Sequence, residues 1–169
     1  MLKIRHLILT LIALVAVTPN LSGADLDDKI RFKNFVDASH ISTSGMNLWI
    51  EVENDSCHKI VILSGETDIY IGESCVMTIS LRDKVVIPRR GTHRVLIPMR
   101  FKSRSSMIPM RILRGIAQGE DMGISISYRI RGGTPLFKRN FERQRVPLEA
   151  LWREFNITDS HKTNLLELL

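Results

Sequence analysis

The sequence predicts an all-β fold: an antiparallel sandwich of about seven strands, with one α-helix inserted before the last hairpin and a short C-terminal helix. Three observations predict it. Apolar residues recur at every second position in several short segments, the mark of strands with one buried and one wet face. Turn residues punctuate those segments at short intervals. A hydrophobic content of 44% over 169 residues suffices for one core that needs neither metal nor disulfide.

The elements follow in order. Residues 29–36 alternate, with Ile30 and Phe32 set against Arg31 and Lys33. Residues 46–53 put Met46, Leu48, Ile50 and Val52 on one face and Trp49 on the other, and Asn54-Asp55-Ser56 turns the chain. Residues 60–63 form an apolar strand, Ser64-Gly65 marks a bend or bulge, and residues 67–71 resume. Gly72-Glu73-Ser74 reads as a hairpin, residues 75–81 and 84–87 as strands, and Pro88-Arg89-Arg90-Gly91 as a turn. In residues 92–101 the face His93, Val95, Ile97, Met99, Phe101 alternates, and Pro98, which cannot donate to a ladder, predicts an edge strand. Ser106 caps a helix whose stripe is Pro109, Ile112, Leu113, Ile116 and Ala117 and whose stop is Gly119. Residues 123–130 and 136–146 pair across a Gly132-Gly133 turn. After Pro147, Leu148, Leu151, Trp152 and Phe155 take helical spacing. That stripe fits docking on the sandwich, a subunit contact or an interfacial helix.

Residues 1–24 read as a cleavable secretory signal: Lys3 and Arg5, then the apolar run LILTLIALVAV over 7–17, then Ser22-Gly23-Ala24. The run is too short to span a bilayer's hydrocarbon core of about 30 Å. The domain is expected over 25–148 and a helical tail over 149–169. Export to the periplasm or cell envelope argues against nucleic acid and cytosolic cofactors as partners.

Charge is segregated. Residues 25–83 carry five basic and eleven acidic side chains, and residues 84–145 carry fifteen and three. One reading is a cationic face for an anionic envelope component, such as a lipid headgroup, lipopolysaccharide or an acidic glycan, carried by Arg89, Arg90, Arg94, Arg111 and Arg114. The other is internal balance, with acidic and basic strands paired across the sheet.

The strand order resembles the late embryogenesis abundant type 2 family, which contains the water-stress and hypersensitive-response domain. The resemblance spans about residues 29–148. Its carriers are Leu48-Trp49-Ile50-Glu51-Val52-Glu53-Asn54, Asp68-Ile69-Tyr70-Ile71-Gly72, Val85-Val86-Ile87-Pro88 with Gly91-Thr92, and Val95-Leu96-Ile97-Pro98-Met99. The family's Asn-Pro turn appears as residues 54–59 without proline. The resemblance implies a fibronectin-III/immunoglobulin-like sandwich with one helix and a non-enzymatic, stress-protective role.

Catalytic signatures are missing: no Gly-x-Ser-x-Gly, phosphate loop, dinucleotide fingerprint or His-Glu-x-x-His occurs. No catalytic, cofactor-binding or metal-binding residue is expected, because His40, His58, His93 and His161 lack ligand spacing. Export permits a Cys57–Cys75 disulfide, but the hairpin reading puts the two at opposite ends of a ribbon about 35 Å long at 3.3 Å per residue, whereas bonded Cα atoms lie within about 7 Å. The expected function is an exported binding or protective protein. The alternatives are a lipid or amphiphile carrier with a cavity between the sheets, and an adhesion or assembly subunit that pairs through edge strands.

Overall fold

The computed structural model describes residues 29–105, 107–108 and 123–150. The leader over 1–24, the expected helix beyond its first residues, Arg111, Arg114 and the tail beyond Ala150 lie outside the described residues. The expected cap Ser106 also lies outside the described residues; Ser105 Oγ accepts from the Met107 amide at 3.3 Å.

Eight strands are described: β1 (Ile30–Ser42), β2 (Gly45–Asn54), β3 (Ile60–Ile71), β4 (Ser74–Leu81), β5 (Val85–Ile87), β6 (Gly91–Ser103), β7 (Ile124–Gly133) and β8 (Lys138–Pro147). All pairing is antiparallel, in the order β1-β2-β6-β4-β3-β7-β8, with β5 beside the first half of β3. β6 joins the two halves of this sheet. Residues 91–98 pair with β2 alone, Met99 and Arg100 with both β2 and β4, and residues 101–103 with β4 alone. The inward side chains of both halves meet in one hydrophobic cluster, so the sheet is folded over on itself as a sandwich.

β2 shows why the fold forms. Met46, Leu48, Ile50 and Val52 are buried while the residues between them stay half-buried. Each such side chain contributes about 1.5–3 kcal/mol on burial. β3 needs a change of phase, because Ile60 and Ile62 face inward and so do Gly65, Thr67 and Ile69. The register slips between Ile62 and Ser64, where the sequence predicts a bend, and the slip turns the odd-numbered positions inward. Thr67 thereby brings a hydroxyl into the core, where its Oγ1 finds no hydrogen-bond partner. Removing an unsatisfied buried hydroxyl relieves its desolvation cost. Thr67→Val is therefore expected to raise stability by about 1 kcal/mol, and a lower urea midpoint than the parent's would contradict this account.

β6 is not an edge strand; it lies between β2 and β4. Pro98 is tolerated there because of where its missing N–H would point. The Pro98 carbonyl accepts from the Arg82 amide at 2.9 Å on the β4 side. The amide of a strand residue points the same way as its carbonyl, so the nitrogen faces the point where β4 ends, at the Leu81–Met99 pair. The ladder to β2 loses nothing.

The last hairpin also differs from expectation. Gly132 and Gly133 belong to β7, and the turn is formed by residues 134–137. β8 is mostly exposed along its length, which explains why neither of its faces reads as apolar.

Candidate functional site

Three turns and the start of β1 meet at one end of the sandwich. The hydrogen bonds that join the 54–59 and 88–91 turns and the start of β1 centre on Asn54, which is fully buried. Its Nδ2 donates to the His58 carbonyl at 3.0 Å and to the Pro88 carbonyl at 2.8 Å. Its Oδ1 accepts from the Ser56 amide at 3.0 Å. The Asp55 amide donates to the Lys29 carbonyl, and the Arg90 amide to the Ser56 carbonyl. A groove of about 450 Å³ beside this knot is lined by Cys57, His58, Val86, Pro88, Arg89 and Pro135, which brings the 134–137 turn into the same assembly.

Among the described residues this end carries Lys29, Lys59, Arg89, Arg90, Lys138 and Arg139 with Asp55 as its unpaired acid, Glu53 being held by Arg31 and Lys33; in sequence, Asp27 and Asp28 directly precede Lys29. Among the described residues none of these six cations is ion-paired. Of the five arginines singled out by sequence, Arg89 and Arg90 belong to this cluster. Arg94 lies further along β6, exposed and in register with Glu51.

Elsewhere internal balance describes part of the surface; Arg100, Lys102 and Arg104 on β6 and its end, for example, have no ion pair among the described residues. Arg129 binds Glu66 and lies 3.6 Å from Asp68, and Arg145 lies 3.3 Å from Glu73; both pairs join the basic half of the sequence to the acidic half. The Glu66 hydrogen bond, reinforced by its charge, raises Arg129 above its already high pKa. Arg31 and Lys33 share Glu53, at 3.7 and 2.6 Å. The hydrogen-bonding Lys33 ammonium holds the Glu53 carboxyl below its ordinary value; desolvation opposes this, and the Lys33 and Arg31 charges add to it. Arg145 also stacks on Tyr70, 3.8 Å from the ring centroid, and donates to the Gly72 carbonyl at 2.8 Å. This second cluster is satisfied within itself.

Cys57 is exposed and Cys75 half-buried, and both are free thiols. Cys57 precedes β3, and Cys75 pairs with Tyr70 near its far end. Among the described residues no three His, Cys, Asp or Glu side chains gather as a metal site.

Lys29, Lys59, Lys138 and Arg139 were not singled out by sequence. Lys29 and Lys59 lie in the acidic half of the chain, and only the sheet register brings them beside Arg89 and Arg90.

No family model matches the chain, and no curated protein matches it. Among solved structures it is similar to the crystal structure of a protein from Archaeoglobus fulgidus, at 13% identity and a TM-score of 0.40, over 68% of this chain and 98% of that one.

Proposed function

We propose that this chain is an exported, non-enzymatic β-sandwich protein, of the late embryogenesis abundant type 2 kind, that binds an anionic component of the cell envelope. The observation that carries the reading is the gathering of six cations at one end, none ion-paired among the described residues. Salt bridges neutralise Arg31, Lys33, Arg129 and Arg145; these six share their lack of one with Arg100, Lys102 and Arg104, and are set apart by the turns that bring them together. A concentrated field of one sign attracts a partner of the other.

Two other readings are less well supported. A lipid carrier needs open space between the layers, but the inward positions of β2, β5, β6 and β7 are filled by Ile, Leu, Met, Val and Tyr. An assembly subunit needs a flat free edge. β1 carries three register irregularities, and β8 is charged and bulged opposite Ser127, features that blunt an edge against pairing.

The test is co-sedimentation with phosphatidylglycerol vesicles and with lipopolysaccharide at low and high ionic strength. Each cation near an anionic surface is worth about 1 kcal/mol. Reversing two charges, Lys59→Glu with Arg89→Glu, is therefore expected to weaken binding by more than about tenfold. Equal retention at both ionic strengths would overturn the electrostatic reading.

A further inference from the structure

The 134–137 turn carries two large apolar side chains that no described residue covers. Leu136 is 84% exposed and Phe137 is 73% exposed. An isolated exposed apolar residue is ordinary, but these two are adjacent and the turn that presents them is closed. The Phe137 amide donates to Thr134 Oγ1 at 3.2 Å, and Thr134 is itself buried. Lys138 Nζ donates to the Pro135 carbonyl at 3.0 Å and lies 3.4 Å from that of Thr134. The backbone that presents both apolar side chains is thus already ordered, which lowers the cost of binding through them.

Their surroundings identify the partner. Lys138 and Arg139 follow them directly, and the groove that Pro135 lines brings Lys59 and Arg89 alongside. An apolar apex ringed by cations matches the boundary of an anionic bilayer, where acyl chains lie just beneath a layer of phosphates. A soluble acidic glycan would use the cations and leave the apex in water.

We propose that the basic end docks on anionic phospholipid bilayers and that Leu136 and Phe137 insert into the headgroup–acyl boundary. The inference rests on the anionic-surface reading above and adds insertion to it. The protein is expressed with its own leader and used in the form the host delivers. Phe137→Trp reports insertion locally, read against the background of Trp49 and Trp152 in the parent chain. Phosphatidylglycerol vesicles are expected to shift the new emission to the blue, and brominated acyl chains to quench it. Phosphatidylcholine vesicles are expected to do neither. Leu136→Ser with Phe137→Ser is expected to weaken vesicle binding by at least about tenfold while leaving the melting temperature unchanged, because neither side chain is part of the core.

Salt-sensitive binding to anionic vesicles without quenching would overturn insertion and leave the surface reading standing. So would a serine pair that binds as tightly as the parent. Failure to bind any anionic surface would remove both.

Discussion

Replacing Asn54 with leucine is expected to destabilise the fold by about 3–5 kcal/mol, although the two side chains have nearly the same size. Asn54 is fully buried, and its amide is used at both ends. The oxygen serves the Ser56 amide and lies 2.7 Å from the Ser56 hydroxyl; the nitrogen serves the His58 and Pro88 carbonyls. Leucine removes one partner from each bond and leaves the other without one. A buried polar group so stranded costs about 1–3 kcal/mol, more than the roughly 1 kcal/mol that a satisfied bond contributes net. Asn54→Asp separates hydrogen bonding from size, because it keeps the acceptor and turns an oxygen toward two carbonyls. It should be almost as damaging. Urea unfolding checks both: the midpoint should fall with an unchanged slope. A loss below about 1 kcal/mol for the leucine variant would show that the two turns hold without the knot.

That knot also shows what sequence could reach. Asn54-Asp55-Ser56 reads as a turn because those residue types bond their own backbone, and the Asn54–Ser56 contact is of that local kind. The bond to Pro88, 34 residues away, leaves no local trace. The strands follow the same division. β2 is legible because one face is buried along its whole length. β8 is not, because only Phe141 and Val146 along it are even half-buried, so burial imposes no alternation. Pro98 misleads because the prohibition on proline concerns the direction of one N–H, and that direction depends on which neighbour pairs where. The charge cluster is half legible: Arg89 and Arg90 stand out as neighbours, whereas Lys29, Lys59, Lys138 and Arg139 join them only through register. A net charge summed along the chain even assigns Lys29 and Lys59 to the acidic side of the ledger.

Gly133→Ala is the other substitution expected to have a large effect, about 2–4 kcal/mol for one added methyl group. Two costs coincide there. Gly133 adopts φ of +144°, a region that L side chains rarely enter. A Cβ at this position would also overlap the Phe137 carbonyl oxygen, where the chain returns against β7. That obstacle is backbone, so it cannot swing aside. Gly72→Ala is the control. Gly72 also has positive φ, at +55°, but a Cβ there meets nothing within 4 Å, so only the conformational cost remains, about 1 kcal/mol. Thermal unfolding should rank the two, and equal losses would mean that the close return of the 134–137 turn is not what requires glycine. The pair also separates stability from binding. Gly72 lies at the opposite end of β3 from the cation cluster, so its variant should bind anionic vesicles as the parent does. Displacing Phe137 by overlap at Gly133 moves the apolar apex itself, so that variant should lose vesicle binding even at temperatures where it remains folded.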